Sequence, residues 1–211
     1  MLSLEIARQW YPLDDAVHGF DHIERVYHLC EKLGEAEGAN LEIVRAAALL
    51  HDSQGSAPDG SERPNHHLLS AEFAGQVLKN EGWADSHIQA VQHCIRAHRF
   101  RHNGEEPATI EARVLFDADK LDVIGAIGAV RTLGYALKAG TPFFAEPSPR
   151  FMQTGEEEPD ELHSAYHEYL FKLRKISSLL YTKTGHQLAA KRQRFLNQFF
   201  DELAAEYRGQ H

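Results

Sequence analysis

A chain of 211 residues, 43% of them hydrophobic, has room for one compact domain with a sizeable core. With 31 acidic against 22 basic residues the formal net charge is −9, which argues against an extended nucleic-acid partner, because a phosphate backbone needs a basic stripe. The N-terminus has no basic region leading into an apolar core and no run of about 18 apolar residues occurs, so neither secretion nor a membrane partner is expected.

Apolar periodicity predicts helices over roughly residues 2–10, 20–37, 40–51, 65–82, 85–100, 109–120, 122–139, 160–180 and 186–208. No convincing strand pair appears, so the expected fold class is all-α. Cys30 and Cys94 fall inside apolar helical patterns and read as buried free thiols of a cytoplasmic, reducing compartment. In the second helix His22 sits near the start, ahead of the stripe Val26, Leu29, Cys30 and Leu33. Arg25, three residues on, is expected to pair with Asp52 or a neighbouring acid rather than with substrate. The third helix carries Ile43, Val44, Ala47, Ala48 and Leu50 and runs straight into His51-Asp52-Ser53, with Gly55 as a stop signal. An imidazole and a carboxylate thus emerge side by side where a buried helix meets a loop.

Segments rich in Gly, Pro, Ser or charge, roughly 54–65, 101–108 and 140–159, read as loops of the kind that border active sites. His66, His67, His87, His93 and His98 follow the first of these. A hydrogen-bonded or surface role is the default for such histidines, although His66 and His67 stand beside a loop and can reach inward. His93 and His98 are five residues apart, which turns them away from each other on a regular helix. His98, leading into Arg99, Arg101 and His102, is read with Arg99 and Arg101 as edging a phosphate-binding pocket.

Further along, Leu115, Asp119 and Asp122 share a helical face, while Asp117 points elsewhere. A carboxylate on an apolar face needs a partner, and a cation is the simplest one for Asp119. Asp122 is expected to support that site or cap a helix. Gly125 and Gly128 follow no strand and lack phosphate-cradling spacing, so they read as close helix packing. The acidic run Gly155 to Glu161 reads as a solvated turn with acids at the next helix N-terminus. His28, His163, His167, His186 and His211 look like ordinary surface or helix residues. Leu188, Phe195, Leu196, Phe199, Leu203 and Tyr207 form a core stripe or an oligomer contact, compatible with a homodimer.

Far apart in the chain, His22, His51, Asp52 and Asp119 together offer the donors of one divalent metal site. Two neutral imidazoles and two carboxylates make a mixed N/O set that suits Mn, Fe, Co, Ni, Zn or, less readily, Mg. Four protein donors leave two octahedral positions for water or a phosphoryl oxygen, the arrangement that Lewis-acid hydrolysis requires. A second ion would need its own close ligands, so one ion is expected, with His93 and His98 outside its coordination, while His66 and His67, if they reach inward, leave a two-ion site open.

The ordered set His…His-Asp…Asp resembles the HD-domain metal-dependent phosphohydrolase superfamily. The strings from His18 to Val26, Ala48 to Asp52 and Asp117 to Arg131 are similar to small stand-alone bacterial HD hydrolases, and the similarity continues into Thr182 to Ala189. The resemblance implies an HD-domain helical bundle with additional C-terminal helices, one domain over residues 1–211 with a metal-site core at roughly 18–125 and an extension at roughly 126–211. It implies His22, His51, Asp52 and Asp119 as ligands, with His51, Asp52 and Asp119 as catalytic residues. The implied activity is hydrolysis of a small phosphorylated metabolite, favouring a nucleotide and, more narrowly, release of pyrophosphate from nucleoside triphosphates. A phosphomonoesterase or phosphodiesterase and a ligand-sensing module with little turnover are the alternatives. His18, Lys120, His98, Arg99 and Arg101 are the expected substrate contacts. Relatives that hydrolyse alarmones carry an acid soon after the His-Asp pair; Ser53-Gln54-Gly55-Ser56 has none, so alarmone hydrolysis is not expected, and only Asp59 or Glu62 could substitute from the loop.

Overall fold

The computed structural model describes residues 2–11, 19–55, 63–99 and 104–210. Expectations placed on His18, Asp59, Glu62, Arg101, His102 and His211 lie outside the described residues. Every regular element among the described residues is helical, as the absence of alternating apolar patterns requires.

Helix α1 (Leu4–Ala7) is capped by the Ser3 hydroxyl, which accepts from Ile6 N, and continues as a 3-10 turn, Arg8–Trp10. Then follow α2 (Phe20–Glu37), α3 (Leu41–Leu50), a 3-10 turn at Arg63–Asn65, α4 (His66–Asn80), α5 (Asp85–Ala97), α6 (Ile110–Asp122) and α7 (Gly125–Ala139). The C-terminal part holds α8 (Pro149–Thr154), α9 (Ala165–Phe171), a 3-10 segment Leu173–Ser178 and α10 (Lys183–Tyr207). Two expectations need correcting here. The loop expected at 140–159 contains α8, started by Ser148, whose hydroxyl accepts from Phe151 N, and by Pro149 at the first helical position. The single helix expected over 160–180 is instead two short pieces, because Ser164 caps a new start at Ala165 and Lys172 ends it.

Contacts divide the chain into two compact units, residues 1–119 with 180–185, and residues 120–179 with 186–211. In the first unit α3 is the central element. It packs against α1, α2, α4 and α5, and Ile43, Val44 and Ala46 to Leu50 are all buried. A helix apolar on every side has to be surrounded. Its start is held by Asn40, whose side chain accepts from Glu42 N at 3.0 Å and Ile43 N at 3.4 Å. Its end is braced by the Tyr11 hydroxyl, which donates to Leu49 O at 2.9 Å. Both thiols are buried as expected, and burial raises their pKa values, which leaves them inert.

Asp117 turns to a segment remote in sequence. Its carboxylate is buried and accepts from Tyr181 N at 2.9 Å, Thr182 N at 2.7 Å and the Thr182 hydroxyl at 2.6 Å. This anchors the 180–185 segment, and a Cβ at Gly185 would overlap Asp117 Oδ2.

In the second unit Tyr169 stacks on Phe200 at 4.5 Å between ring centres, and Leu196, Ala189 and Ala204 are buried beside them in sequence register on α10. The expected α10 stripe is therefore rotated: Leu196 and Phe200 are core, whereas Phe195 and Tyr207 are exposed. The acidic run is not wholly solvated. Glu161 accepts from Ser148 N and Glu158 N, both at 2.7 Å, and pairs with His167 Nε2 at 3.0 Å. His167, expected as an ordinary surface or helix residue, lies in α9 and is fully buried, with Ser164 Oγ 2.7 Å from its Nδ1. Gly125 opens α7 at φ +79, so this glycine serves a helix start rather than a nucleotide loop. No helix of the described residues is long and apolar enough to cross a membrane.

Candidate metal centre

Helix ends supply the site. His22 stands in the first turn of α2, His51 and Asp52 follow the last turn of α3, and Asp119 lies in the last turn of α6. Donor atoms of His22, His51 and Asp119 all lie within 4.8 Å of one another. His22 Nε2 is 3.5 Å from Asp119 Oδ1, and His51 Nε2 is 3.8 Å from Asp52 Oδ2. Bond lengths of about 2.0–2.6 Å to one ion put its ligand atoms roughly 3–4 Å apart. Three of the four donors named from the sequence thus meet; Asp52 reaches this group only through His51 and falls in a cluster of its own with His66 and His98.

Burial supplies an independent test of whether this set suits a cation. His51 is wholly buried, its Nδ1 is 2.8 Å from Ala48 O, and its Nε2 has no hydrogen-bond partner in the protein. The carbonyl can only accept, so the proton is on Nδ1 and a bare lone pair faces the site. Asp52 Oδ1 is a second buried polar atom with no hydrogen-bond partner. Such groups are costly unless something electropositive meets them. Burial, opposed by Asp52, pushes the His51 pKa down to about 4, which keeps the ring neutral and able to ligate. Burial alone would raise the Asp52 pKa; the imidazoles of His51, His66 and His98 override it and hold the carboxyl well below its ordinary range.

A second cluster adjoins the first. Asp52 Oδ1 is 3.2 Å from His66 Nε2 and 3.5 Å from His98 Nε2, and these two nitrogens are 3.3 Å apart. His98 is buried at 3% exposure, deeper than the pocket-edge place expected of it, with Nδ1 2.6 Å from Ile95 O. Packing of α4 on α5 brings His66 and His98 together across 32 residues of sequence. His66, expected beside a loop with the ability to reach inward, stands at the very start of α4 and does reach His98 and Asp52. Arg99 is half-buried and donates from Nη1 to His66 Nδ1 at 3.1 Å.

The other named residues sort as follows. His93 turns away from His98, accepts from Ala108 N at 3.2 Å and pairs with Glu105, which also binds Arg96. Arg25 pairs with Asp21 at 2.5 Å, the neighbouring acid one turn before it. Asp122 is buried and ion-paired with Arg131. Lys120 is half-buried, next in the chain to Asp119.

The model of the HD domain family matches residues 19–124, which contain all of these donors. The chain belongs to the HD domain family. It is 31% identical over 195 residues to YpgQ of Bacillus subtilis, covering 91% of this chain and 85% of that protein. A crystal structure of YpgQ in complex with ADP has a TM-score of 0.75 to this HD protein at 28% identity, covering 99% of this chain and all of that one. An HD-superfamily hydrolase of Bacillus thuringiensis is similar at a TM-score of 0.71 and 25% identity, over 97% of this chain and 94% of that one. Ribonuclease Y of Chloroflexus aurantiacus is 38% identical over 84 residues, 40% of this chain but only 14% of that enzyme. The fold is thus that of HD-superfamily hydrolases, and its His/Asp clusters are candidate sites for the divalent metal that such domains bind.

Proposed function

We propose that this HD protein is a divalent-metal-dependent phosphohydrolase acting on a nucleotide in the cytoplasm, with release of pyrophosphate from nucleoside triphosphates as the specific reaction. The observation that carries the reading is the buried, unpartnered Nε2 of His51 facing the carboxylates of Asp52 and Asp119 beside His22. His22, His51, Asp52 and Asp119 are the proposed ligands. When bound, a divalent ion supplies Lewis acidity for a phosphoryl oxygen and acidifies water.

The chain's own groups do the rest. Ala48 O fixes the His51 tautomer by accepting its Nδ1 proton. With no carboxylate at positions 53–56, Asp52 and Asp119 are the proton acceptors for the attacking water. Lys120 and Arg99 contribute cationic donors to the phosphates, and His98 lines the same site. The ADP complex of YpgQ supports a nucleotide as the ligand class. Mn²⁺ is the proposed ion, compatible with the mixed N/O donor set.

The test is to incubate metal-reconstituted protein with a nucleotide panel and resolve the products. Pyrophosphate from triphosphates, abolished by chelation, is expected. Orthophosphate would replace this reading with a phosphomonoesterase, and no product under any metal would replace it with a sensing module.

A further inference from the structure

Three site histidines distribute their protons in two ways. His51 Nδ1 and His98 Nδ1 lie 2.8 Å and 2.6 Å from the backbone carbonyls of Ala48 and Ile95. A carbonyl only accepts, so both rings are protonated on Nδ1 and turn the Nε2 lone pair inward. His66 is the reverse. Its Nδ1 receives the Arg99 guanidinium at 3.1 Å, and a guanidinium only donates and does not lose its proton. His66 Nδ1 is therefore the acceptor, and the ring proton sits on Nε2. That proton meets the lone pair of His98 Nε2 at 3.3 Å, while Asp52 Oδ1 stands 3.2 Å from the same nitrogen without a hydrogen bond from it. Arg99, His66 and His98 thus form a donor–acceptor chain beside Asp52.

The distances among Asp52, His66 and His98 would by themselves suit a second cation. A ligating histidine, however, gives its other ring N–H to a carboxylate, carbonyl or water. For His66 to ligate through Nε2, its proton would have to move to Nδ1, where it would meet the Arg99 donor head-on. The guanidinium charge also opposes a divalent ion on the far side of the ring.

We infer that Arg99 makes this a single-ion centre: by holding His66 in its Nε2–H form it fills the Asp52–His66–His98 pocket with a proton instead of a second cation. His66 and Arg99 are positioning residues. His66 stands beside Asp52 Oδ1, while Oδ2 lies 3.8 Å from His51 Nε2 on the side of the first donor set. The inference rests on the metal-site reading above.

Metal content after Mn²⁺ saturation and desalting, with calorimetric titration of the full chain, tests it. Wild-type protein should hold one ion per chain and Arg99→Met two. In Zn²⁺-loaded wild-type protein, long-range ¹H–¹⁵N correlation spectra should give the Nε2–H pattern for His66 and the Nδ1–H pattern for His51 and His98; this measurement stands whether or not the variant folds. Two ions in the wild type, one ion in folded Arg99→Met, or a proton on His66 Nδ1 would overturn the inference while leaving metal-dependent hydrolysis intact. No ion in the wild type would overturn both.

Discussion

The Asp117 carboxylate accepts from both the backbone N–H and the hydroxyl of Thr182, 65 residues further along the chain. Thr182 Oγ1 in turn accepts from Gly185 N at 3.0 Å, and this returning segment belongs to the same compact unit as the proposed ligands. Thr182→Val should cost about 1–2 kcal/mol, and Asp117→Ala, which strands three donors, ~3 kcal/mol or more. Gly185→Ala should cost about 1–3 kcal/mol by overpacking against Asp117 Oδ2. Denaturant titration of the three variants checks the order.

Binding of an ion to the folded state alone raises stability by mass action, about 2.7 kcal/mol at a hundredfold excess over Kd. Mn²⁺ should therefore raise the Tm of the wild type, and His51→Ala or Asp52→Ala should abolish that shift together with turnover. An undiminished shift in both variants would place the ion elsewhere.

Which parts of this were legible beforehand follows from their physics. Helix α2 appears over the predicted residues because its apolar stripe is continuous and Gly38 closes it. Helix α3 was equally clear, since its apolar run ends abruptly at His51. The meeting of His22, His51 and Asp119 was legible through their order and donor chemistry. The His66–His98 contact was not, because it depends on how α4 packs on α5, although the α5 stripe Ile88, Val91, Cys94 and Ile95 continues at helical spacing to His98. His167 escaped for a similar reason: a polar residue buried by pairing with Glu161 looks in sequence like any surface histidine. The partners of Asp117 were not legible, because they lie in a segment remote in sequence.

Glu161 gives a pH dependence with a definite sign. Burial raises its pKa, but the amides of Ser148 and Glu158 with His167 hold it down, from an ordinary 4.5 to about 2. A carboxyl depressed in the folded state stabilises above its unfolded pKa and loses that contribution as pH falls toward the folded value. The Tm gap between wild type and Glu161→Gln should be full near neutral pH and close between about 4.5 and 2. A gap that widens on acidification would contradict this.

Lys120→Ala should raise KM with kcat little changed, because a phosphate contact made equally in the ground and transition states is lost as uniform binding. Steady-state kinetics with the best substrate of the panel measures the split; an unchanged KM would remove Lys120 from the substrate contacts.

Anomalous scattering from Mn²⁺-soaked crystals tests the central claim most directly. The account predicts a peak within about 2.0–2.6 Å of His22 Nε2, His51 Nε2 and carboxylate oxygens of Asp52 and Asp119. Strong anomalous density elsewhere, with none among these four side chains, would contradict it.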